Sequence, residues 1–150
     1  MGEQPRVDTY GQRKTAHVFG ALGLYSGAFH YQFAAVFSGH TFHVFLQSLV
    51  ASYAGKKIFL IIDNGSCHNL DDEGKAWLGQ NSHLIELVRL PAYSPEFNPI
   101  EGAWKLTRKK TTHNRFYATV EERDAALCKT FAFFQRHPES VLPQVARFQG

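Results

Sequence analysis

Residues Ile58-Phe59-Leu60-Ile61-Ile62 form an unbroken apolar run that stops at Asp63-Asn64-Gly65. A run this short reads as a strand covered on both faces, because an exposed face would bring in alternating polar residues. Such a strand needs helices packed against it, and the flanking sequence supplies them. Upstream, Phe42, Phe45, Leu46, Leu49, Val50 and Tyr53 recur at helical spacing, one face of an amphipathic helix that Gly55 ends. Before that, His17 to Leu24 reads as an apolar strand and Tyr25-Ser26-Gly27 as a turn. Phe29, Tyr31, Phe33, Ala35 and Phe37 then alternate with His30, Gln32 and Ala34, a half-buried strand that completes a hairpin. Downstream, Asp72 to Gly79 reads as a short helix, Leu84 to Leu90 as a strand and Pro91 to Pro99 as a loop. Helices follow from Pro99 to about Lys110 and from Thr119 to Phe134, the second opened by a capping box from Thr119 to Glu122. The order β-β-α-β-α-β-α-α predicts an α/β domain, a mixed sheet flanked by helices.

With 150 residues the chain is one domain, long enough to bury a real core. Its 44% hydrophobic and 19% charged content excludes a disordered or collagen-like chain. Cys67 and Cys128 make no disulfide framework, which suits a reduced, cytoplasmic protein. A polar arm over residues 1–14 precedes a domain at 15–150, and the arm does not read as a secretory signal. Residues 15–55 carry no Asp, Glu, Lys or Arg, but Gly20, Gly23, His30, Gln32, His40 and His43 interrupt them too often for a membrane span. The net charge is only +3, yet Lys105, Arg108, Lys109, Lys110 and Arg115 cluster with no acidic residue among them. Such a patch suits a polyanion, although helix C-termini also collect cations.

Two carboxylates stand at places where chemistry is common. Asp63 follows the buried strand directly, and ligands of open α/β sheets bind beyond the carboxyl ends of strands. Asp63-Asn64-Gly65 is equally readable as a plain turn. Glu101 lies in Asn98-Pro99-Ile100-Glu101, which reads as a capping box with Asn98 as N-cap, Pro99 at the first helical position and Glu101 at the third. Glu101, Lys105 and Arg108 share one helix face, as a metal site flanked by phosphate contacts or a salt-bridged surface would. By composition alone His68 reads as a surface-loop histidine, and His40 and His43 as the polar face of their helix. Phosphate-binding glycine loops, dinucleotide fingerprints and the serine nucleophile elbow are absent from the sequence.

One set of strings is more specific. Leu60-Ile61-Ile62-Asp63-Asn64, His68, Leu90-Pro91-Ala92-Tyr93-Ser94-Pro95, Asn98-Pro99-Ile100-Glu101 and Trp104 together closely resemble DDE transposases, in the branch of bacterial insertion sequences related to the Tc/mariner superfamily. The resemblance covers most of the chain, weakening after about Arg115, and the 38 positions between Asp63 and Glu101 agree with it. It implies a ribonuclease-H-like fold. It also implies that Asp63 and Glu101 are the second and third acidic ligands of a Mg²⁺ or Mn²⁺ site, which needs few carboxylates because substrate phosphates and water complete it. Asn64, His68 and Asn98 would support the site, and Lys105, Arg108, Lys109 and Lys110 would hold the DNA backbone. The implied reaction is cleavage of transposon-end DNA followed by strand transfer to target DNA. The implied partners are those DNAs, with a homo-oligomer or the product of an upstream reading frame completing the assembly.

The sequence departs from the family at its start. The first aspartate should close a strand ahead of the hairpin, but only the polar arm lies there, and Asp8 follows Val7 alone. The expected chain is therefore a ribonuclease-H-like domain lacking its first, central strand, a C-terminal piece inactive alone. The alternative is a non-catalytic DNA-binding or dimerising remnant.

Overall fold

The computed structural model describes residues 16–91, 98–113 and 115–149, so the polar arm with Asp8 and the Tyr93-Ser94-Pro95 string lie outside the described residues. Strands β1 (Val18–Leu22) and β2 (Phe29–Phe33) pair antiparallel, with Val18 opposite Phe33 and Leu22 opposite Phe29. Gly27 makes the bend at φ 72°, a backbone region that side-chain-bearing residues rarely adopt. Helix α1 (Gly39–Ser52) starts at a capping box in which Ser38 Oγ accepts from the Thr41 N–H at 3.1 Å and Thr41 Oγ1 from the Ser38 N–H at 2.9 Å. Strand β3 (Ile58–Ile62), helix α2 (Asp72–Gln80) and strand β4 (Ile85–Arg89) form a parallel crossover unit, with Ile58 beside Ile85 and Ile62 beside Arg89. Helices α3 (Glu101–Thr107) and α4 (Val120–Arg136) complete the expected order.

Strand β1 divides two cores because its side chains alternate. Phe19 and Ala21 pack with Phe42, Phe45 and Leu46 of α1, and Leu60, Ile62 and Ile85 of the parallel strands join the same cluster. Val18 faces the other way, with Phe29, Trp104, Leu127 and Phe131. Gly20 points that way too, and the Trp104 indole occupies the space a side chain there would need.

The α/β expectation holds: among the described residues the strands form one antiparallel and one parallel two-stranded sheet. A cavity of about 490 Å³ lies between them, bordered by Ala21 and Leu22 of β1, Ile58 and Ile61 of β3, and Ile100. Other expectations are corrected. The run at 58–62 is not covered on both faces: Leu60 and Ile62 are buried and Ile61 half-buried, but Phe59 is 62% exposed, and Val88 of the neighbouring β4 is 45% exposed. The reason is that α1 and α2 both pack on one side of β3 and β4, whereas α3 and α4 pack on the hairpin. Lys57 Nζ lies 5.1 Å above the Phe59 ring and partly shields it. His43 is buried, not part of a polar face, because α2 brings Trp77 over it at 5.2 Å between ring centroids.

Helix ends also differ from expectation. Helix α3 has Ile100 as its N-cap and no side-chain cap, and the Glu101 N–H is taken by the Asn98 backbone carbonyl at 3.2 Å. It gives way after Thr107 to a wider π turn, Arg108–Thr112, closed by the His113 N–H on the Arg108 carbonyl at 2.7 Å. The α4 box is shifted: Thr119 Oγ1 accepts from the Glu122 N–H, but Glu122 Oε2 accepts from Ala118. Thr119→Ala should therefore lower stability by about 1 kcal/mol in urea denaturation, since one of the helix's first N–H groups loses its acceptor.

Three short 3₁₀ turns follow α4, and they strap the two halves of the hairpin core together. Gln149 Nε2 donates to the Leu24 carbonyl at 2.7 Å, and Val141 and Val145 are fully buried. The strap passes so close to α3 that a Cβ on Gly102 would lie 2.7 Å from Gln144 Cβ.

Candidate active site

Asp63 is the first residue past β3, where the chain must turn. Its Oδ1 accepts the Gly65 N–H at 2.9 Å, a side-chain turn of the kind Asp favours. A 3₁₀ turn at Ser66–His68 then folds the chain back, so that His68 Nδ1 lies 2.9 Å from Asp63 Oδ1 and 3.2 Å from the Asp63 carbonyl. His68 is 1% exposed, its ring 4.8 Å from that of Phe42, and so is no surface-loop histidine. The carboxylate it meets could not be foreseen from composition.

The pair is electrically polarised. Burial alone would push the His68 imidazole down, but the Asp63 carboxylate and the Cys67 side chain favour its charged form and its pKa is pushed up to about 9. Burial likewise works to raise the Asp63 carboxyl. The hydrogen bonds from His68 and the Gly65 N–H outweigh it, and the net direction is down. At neutral pH this corner is therefore a carboxylate held by an imidazolium.

Two further bonds fix the corner to the next strand. Asn64 Nδ2 donates to the Leu90 carbonyl at 2.7 Å, and Arg89 Nη2 donates to the His68 carbonyl at 3.0 Å. Arg89 went unnoticed in the sequence. The available signal was its place at the end of β4, in register with Ile62 just before Asp63.

Glu101 opens α3 and is half-buried, on a helix anchored by the fully buried Ala103 and Trp104. Asn98, Pro99 and Ile100 border the same cavity as Ile61, so the entry to α3 and the last turn of β3 face one space. Asp63 and His68 thus form one hydrogen-bonded corner, Asn64 ties it to β4, and Asn98 borders the cavity next to Glu101, the first residue of α3. Past Glu101, Lys105, Lys109 and Lys110 are exposed and Arg108 half-buried, and among the described residues none of the four is in an ion pair. Lys110 Nζ rests 5.1 Å above the Phe133 ring.

The donor set fits a hard divalent ion in part. Carboxylate oxygens suit magnesium-class ions, and among the described residues Gly65 and His68 both engage Asp63 through Oδ1. Among the described residues no group of three or more His, Cys, Asp or Glu side chains is gathered as a cage.

The chain is similar in fold to the catalytic core domain of BIV integrase, with a TM-score of 0.61 at 14% identity over 94% of this chain and 92% of that one. The shared fold is the ribonuclease-H-like α/β arrangement. A comparison with curated proteins gives no match. The sequence model of the DDE superfamily endonucleases matches residues 1–123, the span that holds the Asp63 corner, the α3 entry and the cations beyond it. By that match, this chain belongs to the DDE superfamily of endonucleases.

Proposed function

We propose that the chain is a transposase catalytic domain of the bacterial insertion-sequence kind, performing metal-dependent cleavage and strand transfer of transposon-end DNA. The observation that supports this reading is the hydrogen-bonded Asp63–His68 pair at the end of β3, with Ile61 of that strand and the Asn98–Ile100 entry to α3 bordering one cavity. Asp63 and Glu101 would hold Mg²⁺ or Mn²⁺, which when bound activates an attacking oxygen and balances charge at the phosphorus. His68 and the Gly65 N–H keep the Asp63 carboxylate ionised and in one rotamer, and Asn64 and Arg89 keep the corner on the strand ends. Lys105, Arg108, Lys109 and Lys110 would take backbone phosphates, contacts that position DNA without reading it. The location would be the bacterial cytoplasm at the nucleoid; among the described residues no helix is long and apolar enough to cross a membrane.

We further read residues 15–150 as the C-terminal part of the catalytic domain, needing a strand with a first acidic ligand from another segment. The cavity between the two sheets supports this, because it has β1 on one wall and β3 on the other. The DNA upstream of the Met1 codon should then encode an apolar strand ending in Asp-Glu. Joined to it, the chain should nick DNA and join 3′-hydroxyl ends in the presence of Mg²⁺, and Asp63→Asn or Glu101→Gln should reduce both by at least about a thousandfold. Cleavage by the chain alone, lost in those variants, would overturn the fragment reading and keep the enzyme. Tight DNA binding by the joined protein without metal-dependent cleavage would favour the non-catalytic remnant, a reading the exposed cations Lys105, Lys109 and Lys110 also support.

A further inference from the structure

Helices α2, α3 and α4 each carry charges of both signs, whereas α1 carries none and lies in a stretch, residues 15–55, without Asp, Glu, Lys or Arg. Its inner face is spent on the core through Phe42, Phe45, Leu46 and Leu49. On the opposite side His40, Val44, Gln47 and Ala51 fall at i, i+4, i+7 and i+11, and all four are exposed. Val36 lengthens this line. The Thr41 hydroxyl donates to its carbonyl at 2.8 Å, which holds Val36, 55% exposed, against the first turn. A solvated helix face ordinarily carries Lys, Arg or Glu. A face without them, with two exposed valines, has the composition of an interface centre, from which charge is depleted. A lipid surface would call for Lys and Arg on the same helix, and α1 has neither.

The two ends of the helix say what covers it. At the N-terminal end a Cβ on Gly39 would lie 3.2 Å from the Asp71 nitrogen, so the exposed Asp71, Asp72 and Glu73 stand beside the first turn. At the other end the Lys56 N–H donates to the Tyr53 carbonyl at 3.2 Å, which keeps the exposed Lys56 next to the last turn. Among the described residues neither Lys56 nor these three carboxylates are in an ion pair. A neutral stripe with one acidic end and one basic end is complementary to itself when reversed. A two-fold axis across the stripe makes that reversal, because it sets two identical helices antiparallel.

We propose that α1 is a self-association face, on which a second copy of this chain packs its own α1 antiparallel, with Val44 and Gln47 near the two-fold axis and Lys56 facing the partner's Asp72. The proposal rests on the α1 surface alone and is independent of the endonuclease reading. One helix from each copy is a narrow contact, so the dimer is weak, with a Kd on the order of tens of micromolar. Phe42 on the inner face of α1 lies 4.8 Å from the His68 ring, so the pair carries one Asp63 corner behind each helix.

The test is sedimentation velocity of the chain over a concentration series that brackets this Kd. A reversible monomer–dimer equilibrium is expected. Val44→Asp and Gln47→Lys, each checked for folding by circular dichroism, should weaken it by roughly tenfold or more, since each sets two like charges near the axis. Lys56→Asp or Asp72→Lys alone should weaken it roughly threefold, and the two together should restore it. A zero-length carbodiimide should join Lys56 to Asp72 between copies only, because the 14 residues of α1 hold the two ends about 21 Å apart within one chain. A monomer at every concentration overturns the proposal, as does a dimer that Val44→Asp and Gln47→Lys leave intact. A dimer lost in those variants but indifferent to both charge reversals, and without the cross-link, overturns the antiparallel arrangement.

Discussion

Gly20→Ala should destabilise the protein by roughly 2–3 kcal/mol, the opposite of what removing a strand glycine usually does. Glycine in a strand costs conformational entropy, so alanine normally helps. Here the added Cβ would lie 2.4 Å from Trp104 Cη2 and 2.7 Å from Cζ2. The indole cannot retreat: it is fully buried, with the Phe29 ring 6.0 Å and the Phe131 ring 6.2 Å away. Urea denaturation followed by tryptophan fluorescence measures the loss. Combined with Trp104→Phe, which trims the clashing ring, the two changes should be clearly non-additive. A neutral Gly20→Ala would show that α3 shifts freely over β1. Trp104 lies one turn after Glu101, so the indole's seat on Gly20 also anchors the start of α3 against β1.

The second expectation is a pH dependence. The His68 pKa is raised from its ordinary 6.5 to about 9. Its stabilisation is therefore fully present below pH 6.5 and is lost as pH rises towards 9, a loss of roughly 3 kcal/mol. Asp63 is shifted the other way, so its share is present above the ordinary carboxylate range and disappears as pH falls below it. His30, which burial pushes down, adds a separate loss below about pH 6.5. His68→Gln isolates the pair, because the side chain stays neutral throughout. The difference between wild type and His68→Gln should be largest between the carboxylate range and pH 6.5, then vanish by about pH 9. A constant difference across that range would mean that His68 acts through packing alone. At pH 6 the substitution should cost about 2–3 kcal/mol, since it leaves the half-buried Asp63 carboxylate without its charged partner.

Both expectations rest on contacts that link residues far apart in the chain, and this marks the boundary of what could be read beforehand. Element order was legible because it depends on local periodicity. The alternation through Phe29, Tyr31 and Phe33, the helical spacing from Phe42 to Tyr53 and the apolar run at 58–62 each carry their own period. Helix ends were less legible. The Asn98 cap failed because the Asn98 backbone, rather than its side chain, takes the Glu101 N–H. The turn at Arg108–Thr112 widened where Thr111 meets Thr130 and Tyr117.

For the candidate site, the order of Asp63, Asn64, His68, Asn98 and Glu101 was visible as a string that carried the resemblance, and the family itself rests on the sequence-model match over residues 1–123. The partners of those residues were not visible. That His68 is buried against Asp63, that Arg89 holds its carbonyl and that Gly20 seats Trp104 are decisions of the third dimension. So is the exposure of Phe59, whose run promised cover on both faces. A sequence states its own period and chemistry residue by residue, and from these alone came the α/β order, the acidic pair and the basic segment. Which face each element covers, and which charges meet, depends on neighbours distant in the chain. Only tertiary packing, by excluding water from one side of β3 and from His68, settled those.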